Sequence, residues 1–289
     1  MNAGLIVDDE IRFFLNSTKE WLLTKQMQPT DKPIVLSISG HDPSGGAGIQ
    51  ADIETISALG CHAATAISCL TIQDSRNVHE LTPLEPEQII RQVETLWLDY
   101  TIRAIKIGLI GSADGARAIG EFLAKHPEVP VILDPILAAG GGTVLASQRL
   151  IDTIIERIIP YTTLVTPNSQ EARKLTGLEH LEQCAEHLIQ QGTQSVLITG
   201  THEASEEVIN TLYRPNLKPL LNSWPRLNHS YHGSGCTIAS AIATELAKGS
   251  SLEQAVIHAQ RYTWESLASG WQPGKGQHIP NRQFNHHTE

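Results

Sequence analysis

The alternation of short apolar runs with amphipathic segments constrains the fold of this chain more than any other feature of its sequence. Residues 34–38 form a short apolar, β-rich run, and residues 49–59 carry apolar side chains three to four positions apart. The first pattern predicts a strand and the second a helix. The same rhythm continues to residue 199, with further strands predicted over residues 63–72, 104–108, 129–133, 163–166 and 195–199.

Amphipathic segments separate these runs. They predict helices over residues 49–59, 86–98, 112–125, 147–158 and 181–191, with two more beginning at Thr237 and Ser251. Residues 207–213 are expected to pair antiparallel with the segment that follows. Strands that alternate with helices form a mainly parallel sheet with right-handed crossovers. The predicted fold class is therefore α/β, a doubly wound sheet flanked by helices on both faces, without a large separate lid domain.

Composition and charge exclude several classes of function. The chain has 289 residues, of which 40% are apolar, enough for a sizeable core. Its formal net charge is −10 and it has no run of Lys or Arg, which argues against a nucleic-acid or membrane partner. No uncharged apolar run reaches the roughly 18 residues of a membrane-spanning helix. The four cysteines lack metal-binding spacing, so we expect reduced thiols and a cytoplasmic protein.

Three regions are distinguished along the chain. Residues 1–33 are predicted to be an N-terminal extension, residues 34–282 a single domain, and residues 283–289 a C-terminal tail. The extension contains apolar side chains such as Trp21 and ends in a polar, proline-containing stretch. Two interpretations of it stay open: it packs as a helix on the domain or on a partner subunit, or Met27 marks the true start of the protein.

A glycine-bearing loop before the helix at Thr237 predicts an anion site. Gly233 and Gly235 lack side chains, so backbone N–H groups can approach a ligand where the helix dipole adds positive charge. Cys236 lies at the same positive end, and its thiol pKa is therefore expected to be lowered. The alternative is a glycine-rich loop that caps an ordinary core helix around a buried cysteine. From these residues alone, the alternative is favoured.

Polar side chains follow several of the predicted strands. In an open α/β sheet such strand ends converge on a ligand cleft. Asn168 and Glu171 project from one face at a helix start, where they suit either Mg²⁺ or a simple capping box. The other candidates at these strand ends are Asp42, Gln73, Lys106, Asp134 and Thr199.

Taken together, these segments resemble the ribokinase-like kinases, and within them the hydroxymethylpyrimidine/phosphomethylpyrimidine kinases of thiamine biosynthesis. The resemblance covers roughly residues 34–282 and is most specific in its first and last segments. The matching segments are Ser-Gly-His-Asp-Pro-Ser-Gly-Gly-Ala-Gly-Ile-Gln-Ala-Asp at 39–52, Thr-Ile-Gln-Asp at 71–74, Lys-Ile-Gly at 106–108, Leu-Asp-Pro at 133–135, Thr-Pro-Asn at 166–168 with Glu171, and His-Gly-Ser-Gly-Cys-Thr at 232–237.

The resemblance implies the fold and a role for each matching residue. The loop that would stabilise the transferring phosphoryl group consists of Gly233, Ser234, Gly235 and Cys236, with Cys236 accepting or orienting the substrate hydroxyl proton. The implied substrate-binding residues are Asp42, Gly46, Asp52, Gln73 and Leu109. For ATP and its phosphates they are Lys106, Asp134, Asn168 and Thr199, and for Mg²⁺ they are Asn168 and Glu171.

Some of these assignments have structural alternatives. Asp52 is equally expected as a solvent-facing helix residue, Leu109 as a core leucine, and Lys106 as the partner of a buried carboxylate. Two lysines common in the family are absent, because Gly140–Gly142 and Thr199 stand at those positions. The glycines could still supply backbone N–H groups to an anion, and Thr199 a hydroxyl.

The implied activity is the ATP- and Mg²⁺-dependent phosphorylation of 4-amino-5-hydroxymethyl-2-methylpyrimidine, first to the monophosphate and then to the diphosphate. Gln73 favours this aminopyrimidine, because an amide offers both a donor and an acceptor. A pyridoxal or pyridoxine kinase is the nearest alternative. A second alternative is a catalytically weak, pyrimidine-binding regulatory protein, because each missing lysine removes a possible contact with phosphate. The resemblance further implies a homodimer.

Overall fold

A computed structural model describes residues 32–284, so the predicted extension over residues 1–33 and most of the predicted tail lie outside the described residues. The strands are β1 (Ile34–His41), β2 (His62–Gln73), β3 (Val78–Pro83), β4 (Ile102–Ile107), β5 (Val131–Leu133), β6 (Leu164–Val165), β7 (Val196–Ile198), β8 (Glu207–Tyr213) and β9 (Leu220–Pro225). The helices are α1 (Gly48–Ala58), α2 (Pro86–Asp99), α3 (Ala113–Leu123), α4 (Gln148–Arg157), α5 (Ser169–Thr176), α6 (Leu181–Gln190), α7 (Ser234–Ala247) and α8 (Leu252–Ala268).

The strands form one sheet in the order β3-β2-β1-β4-β5-β6-β7-β8-β9. The six strands from β2 through β1 to β7 are parallel, while β3, β8 and β9 pair antiparallel. The chain runs outward from β1 in both directions, so the strand order reverses between β1 and β4. In sheets of this kind ligands bind at that reversal, beyond the carboxyl ends of the strands.

Helices cover both faces of the sheet. The core on one face joins the sheet to α2, α3, α4, α5 and α6, and includes Ile89 and Ile119. The core on the other face joins it to α1, α7 and α8, and includes Ile56 and Ile242. The predicted doubly wound, mainly parallel fold is therefore confirmed, and residues 32–284 contain no separate lid domain. No described helix is both long and apolar enough to cross a bilayer.

Two local predictions differ from the structure. The edge strand β3 was not predicted, because its exposed sequence buries little more than Val78 and has no clear alternation. Helix α7 begins at Ser234 rather than at Thr237. Small polar residues fill its first turn, so the apolar periodicity that marks the rest of the helix is missing there. Ser234, Gly235 and Cys236 therefore lie inside the first turn and not in a loop before it.

A buried ion pair connects the elements on either side of the strand reversal. The ammonium of Lys106 on β4 lies 2.8 and 2.9 Å from the two carboxylate oxygens of Asp52 on α1, and both side chains are fully buried. Ser37 on β1 and Ser240 on α7 donate hydrogen bonds of 2.6 and 2.7 Å to the same carboxylate. Burial alone would lower the pKa of Lys106, but the charge of Asp52 raises it above its ordinary value.

Replacing one member of this pair should destabilise the fold strongly. We expect Lys106→Met to lower the free energy of unfolding by about 3–5 kcal/mol, because it leaves a buried carboxylate without its counter-charge. The double variant Lys106→Met/Asp52→Leu should recover most of that loss. Urea denaturation of the variants measures both effects.

A matched control is the partly exposed pair of Lys248 and Glu245, whose side chains are 34% and 12% exposed and whose nitrogen and oxygen are also 2.8 Å apart. Lys248→Met should cost less than about 1 kcal/mol, because solvent already screens that pair. A Lys106→Met protein as stable as the Lys248→Met protein would contradict the role given to the buried pair.

Candidate active site

A cavity of about 410 Å³ lies at the carboxyl ends of the parallel strands, at the strand reversal. Most of the predicted site residues line it, although they come from separate loops. Those on its wall are Asp42, Gln73, Leu109, Asp134, Asn168, Glu171, Thr199, Gly233, Ser234, Gly235 and Cys236.

Three predicted residues are not on the cavity wall. Asp52 and Lys106 form the buried ion pair beneath the cavity, so the solvent-facing interpretation of Asp52 is wrong and the structural alternative for Lys106 is confirmed. Gly46 packs under the imidazole of His232, where any side chain would collide with that ring. The substrate and phosphate roles implied for these three residues remain predictions that no direct contact with the cavity supports.

The glycine-rich loop after β1 is joined to the loop before α7 by a contact between Asp42 and His232. Nε2 of His232 lies 2.8 Å from Oδ2 of Asp42, whose side chain is only 2% exposed. Asp42 also accepts hydrogen bonds from Ser44 and from the backbone N–H of Ala47. Burial alone would raise the pKa of Asp42, but these contacts hold it well below its ordinary value. Asp42 therefore carries a full negative charge and orders both loops.

The loop that opens α7 has the geometry of an anion site. Gly233 has φ +87°, a left-handed conformation that favours glycine, and no described side chain caps the helix there. A side chain on Gly233 would also collide with the carbonyl of Gly46. The first N–H groups of a helix have no partner within it, so those of Ser234, Gly235 and Cys236 are available at the cavity wall.

Cys236 is buried at the base of this turn. Burial raises the pKa of its thiol to about 12, and the nearby charge of Lys106 offsets this only in part. The expectation of a lowered pKa is therefore wrong: the desolvation of the sulfur and the carboxylates of Asp134 and Asp52 outweigh the helix dipole. The thiol lies near enough to Asp134 to lower the pKa of that carboxyl, and the nearby backbone N–H of Gly48 lowers the pKa of the thiol.

Two carboxyl groups face each other across the cavity floor. Burial, reinforced by repulsion from Asp134, raises the pKa of Glu171 to about 8. Burial also raises the pKa of Asp134 to about 6, although Lys106 opposes the shift. Oδ2 of Asp134 is buried without a hydrogen-bond partner among the described residues. The raised pKa values mean that the two carboxyl groups resist ionising together, and a cation bound between them would relieve that repulsion.

The capping-box interpretation of Asn168 and Glu171 is confirmed. Oδ1 of Asn168 accepts from the backbone N–H of Glu171 at 2.9 Å, and Oε2 of Glu171 accepts from that of Asn168 at 2.9 Å. The second oxygen of Glu171 has only a long contact, 3.5 Å, with the backbone N–H of Leu137. Glu171 can therefore cap α5 and still offer an oxygen to the cavity.

These donors fit a magnesium ion that is held mainly by phosphate oxygens. Mg²⁺ is bound by one or two carboxylates together with waters and substrate phosphates in sites of this kind, and Asp134 and Glu171 supply two hard oxygen donors. Residues 32–284 contain no cluster of three His, Cys, Asp or Glu side chains that would hold a metal ion by themselves.

One end of the cavity lies beside the β2–β3 turn and the glycine loop at residues 140–142. Gln73 ends β2 and lies at the cavity wall beside the turn that leads to β3. A side chain on Gly141 would collide with the carbonyl of Arg76 in that turn. The N–H of Gly142 donates to the carbonyl of Ala139, so it is already used within its own loop. Of the three glycines that replace a common lysine, Gly141 therefore packs against the β2–β3 turn, while Gly140 packs against Gln277.

The other end of the cavity contains residues that the sequence analysis did not identify. Trp224 on β9 and Gln260 on α8 line it, and the indole N–H of Trp224 donates to Oε1 of Gln260 at 3.1 Å. Asn210 on β8 donates to the same oxygen at 3.0 Å. Strands and a helix distant in sequence form this network, so no local pattern indicates it. His232 did lie within a quoted motif, but without an assigned role.

Comparison with known proteins identifies the family to which this chain belongs. The family model for phosphomethylpyrimidine kinase matches residues 42–281. The hydroxymethylpyrimidine/phosphomethylpyrimidine kinase of Haemophilus influenzae is 32% identical over 259 residues, which cover 86% of this chain and 96% of that protein. A thiamine biosynthesis bifunctional protein of Geobacter sulfurreducens is 33% identical over 267 residues, 91% of this chain. This chain spans only 54% of that bifunctional relative.

The fold also matches solved structures. The pyridoxal kinase from Staphylococcus aureus in complex with pyridoxal superposes with a TM-score of 0.80 at 27% identity, over 89% of this chain and 96% of that one. This match confirms the fold class that the resemblance implied. With the family model and the relatives that are more than 30% identical, it establishes that the chain belongs to the phosphomethylpyrimidine kinase family.

Proposed function

We propose that this chain transfers the γ-phosphoryl group of ATP to the hydroxymethyl group of 4-amino-5-hydroxymethyl-2-methylpyrimidine, and then phosphorylates the monophosphate to the diphosphate. One observation carries the proposal: the anion-binding turn at Gly233–Cys236 and the amide of Gln73 lie on the wall of the same cavity. Asp134 and Glu171 lie on that wall too. Family membership supports the same reaction.

The acceptor alcohol occupies the end of the cavity near Gln73. An amide presents a donor and an acceptor side by side, which matches the ring nitrogen and exocyclic amine of an aminopyrimidine. Leu109 is 8% exposed at the wall and supplies an apolar surface for the ring. Asp42 holds the glycine-rich loop in place through its contact with His232.

The nucleotide occupies the opposite end, beyond Thr199. There the wall combines the ring of Trp224 with that of Trp264, whose centroids are 6.2 Å apart, and the amide network around Gln260. Aromatic surface with a few fixed polar groups suits a purine base. The triphosphate then extends toward the first turn of α7. Where many family members carry a lysine that can contact phosphate, this chain offers the neutral hydroxyl of Thr199.

The metal site lies at Glu171 and Asp134. A bound Mg²⁺ would neutralise charge on the polyphosphate. Glu171, whose carboxyl pKa is raised to about 8, must lose its proton to bind the ion, and the positive charge of the ion favours that loss. Asn168 fixes the orientation of Glu171 through the capping box.

Catalysis rests on positioning and on charge stabilisation. The backbone N–H groups of the first turn of α7 stabilise the negative charge on the transferring phosphoryl group. The hydroxyl oxygen bonds to phosphorus as the bond to the leaving ADP oxygen breaks, and the hydroxyl proton passes to an oxygen of the transferred phosphoryl group. A thiol with a pKa of about 12 is almost wholly protonated near neutral pH. Of the two roles expected for Cys236, orienting the hydroxyl therefore fits better than acting as a strong base.

The remaining expectations are also proposals. A homodimer is supported by Leu70 and Ile72, which project from one side of β2 and are 45% and 60% exposed. A cytoplasmic location is supported by the free thiols of Cys69, Cys184 and Cys236. The division into an extension over residues 1–33, a kinase domain over residues 34–282 and a tail is supported by the family match over residues 42–281.

The proposed reaction is tested by a coupled assay of ADP release with several alcohols. We expect turnover of the aminopyrimidine alcohol and of its monophosphate, with a clearly lower kcat/KM for pyridoxal and pyridoxine. Activity should require a divalent cation. A higher kcat/KM for the pyridoxine-type alcohols would establish the alternative kinase. An absence of product with every alcohol at saturating Mg²⁺ would leave the regulatory, pyrimidine-binding alternative.

Removing the thiol of Cys236 should impair the chemical step. We expect Cys236→Ala to lower kcat by about 10²-fold, because loss of a group that orients the hydroxyl misplaces the reacting oxygen. Its KM for the alcohol should change little. Steady-state kinetics measures both constants, and Cys69→Ala, which alters another buried thiol away from the anion turn, is the control. Wild-type kcat in Cys236→Ala would refute the proposed role.

Removing the charge of Glu171 should weaken the use of magnesium. We expect Glu171→Gln to raise the Mg²⁺ concentration for half-maximal activity by at least about 10-fold, because the amide is a poorer ligand for a hard cation. Titration of activity with Mg²⁺ at fixed ATP measures the shift. Glu179→Gln, which changes a 91% exposed carboxylate nearby in the chain, should leave the curve unmoved. Identical curves for both variants would exclude Glu171 as a ligand.

A further inference from the structure

Arg282 is the most unusual buried residue outside the proposed site. Its side chain is fully buried, among the largest side chains in the described part of the chain that are withdrawn from solvent. It lies close to the end of the predicted domain, where the sequence analysis identified no functional residue. A buried guanidinium is costly unless hydrogen bonds and charge compensate for it. Its partners therefore indicate what it does.

The guanidinium contacts three different elements. Nη2 donates to the backbone carbonyl of Gly46 in the glycine-rich loop after β1. Nη1 donates to the carboxylate of Glu54 on α1 at 2.9 Å. Nε donates to the hydroxyl of Thr237 on α7 at 3.0 Å. The planar fork of arginine suits this arrangement, because its donors point in fixed and different directions.

The contact with Thr237 reaches the anion-binding turn. The hydroxyl of Thr237 accepts from Arg282 and in turn donates to the carbonyl of Gly233 at 2.8 Å. Gly233 approaches the carbonyl of Gly46 too closely to carry a side chain, and a side chain on Gly46 would collide with the ring of His232 beside Gly233. Arg282 therefore holds both sides of this close approach, directly at Gly46 and through Thr237 at Gly233.

The segment that carries Arg282 runs beside the same turn. The backbone N–H of His232 donates to the carbonyl of His278 at 2.8 Å, and the N–H of His278 donates to that of Ser230 at 2.9 Å. The hydroxyl of Tyr262 on α8 donates to the carbonyl of Arg282 at 2.6 Å. These hydrogen bonds fix the backbone of the segment at His278 and at Arg282 itself. The position of the guanidinium is therefore set by an anchored backbone.

We propose that Arg282 is a positioning residue for phosphoryl transfer, which fixes the distance between the glycine-rich loop at Gly46 and the anion-binding turn at Gly233. It reaches neither substrate nor phosphate. It acts through the backbone of the two loops, which the contact of Asp42 with His232 also joins. This inference rests on the proposed function, because the turn is taken to receive the transferring group.

The kinetic test compares Arg282→Ala, Arg282→Lys and wild type. We expect Arg282→Ala to lower kcat by about 100-fold, the effect of displacing catalytic groups by about 1 Å. The KM values for ATP and alcohol should stay near those of wild type, because the loss falls on the transition state. Arg282→Lys should recover part of the loss, since an ammonium keeps the charge opposite Glu54 without the three directed contacts.

Two further variants separate positioning from general stability. Arg214→Ala removes another arginine that pairs with a glutamate. Nη1 of Arg214, directly after the last residue of β8, lies 2.9 Å from Oε2 of Glu253. This variant should leave kcat unchanged. Thr237→Val removes only the hydroxyl between Arg282 and Gly233, and like Arg282→Ala it should lower kcat. The double variant Arg282→Ala/Thr237→Val should be no slower than Arg282→Ala, because both changes break one link.

Amide hydrogen exchange of the ligand-free proteins provides a readout independent of substrate. In Arg282→Ala, exchange at residues 46–48 and 233–236 should be faster than in wild type, and in Arg214→Ala it should not. A folded Arg282→Ala protein with wild-type exchange and kcat would overturn the proposal, as would a loss of activity that merely follows the folded fraction.

If Arg282→Ala does not fold, Thr237→Val decides, and wild-type kcat and exchange in that variant would overturn the proposal. If the wild-type protein phosphorylates none of the alcohols, the proposed function fails. The exchange measurement still tests the coupling of the two loops in that case.

Discussion

The buried ion pair of Lys106 and Asp52 is the interaction on which the rest of the structure depends. It joins β4 to α1, and through Ser37 and Ser240 it also joins β1 and α7. Two charges without solvent are tolerated only when each is paired and hydrogen-bonded, so the four elements can pack in one way. The strand reversal, the glycine-rich loop and the first turn of α7 are thereby placed around one cavity.

The same charges set the electrostatics of the site. Lys106 lies beneath Cys236 and Asp134, and it only partly offsets the burial that raises their pKa values. Glu171, beside Asp134, has its carboxyl pKa raised to about 8. The cavity floor is therefore organised to receive a cation, while the first turn of α7 on the adjoining wall is organised to receive an anion. The ligand proposed for this cavity, a metal–polyphosphate complex, would satisfy both demands at once.

Precision at this site comes from contacts between loops that are far apart in sequence. Gly46 and Gly233 touch without side chains, Asp42 and His232 join the same two loops, and Arg282 bonds to one loop directly and to the other through Thr237. The fold is shared with a pyridoxal kinase, so the architecture alone does not select the alcohol. In the proposed reaction, selection falls to wall residues such as Gln73, whose amide would match an aminopyrimidine.

The sequence by itself determined the α/β fold, most strands and helices to within a few residues, and the set of loops that converge on the site. Apolar periodicity and glycine positions are local properties, so they can be read without coordinates. The edge strand β3, the start of α7 and the thiol pKa of Cys236 were missed or wrong. Only the tertiary structure decided that Asp52 pairs with Lys106, that Trp224 and Gln260 share a wall, and that Arg282 links two loops. The physical reason is that desolvation and charge pairing depend on neighbours distant along the chain, which no local pattern records.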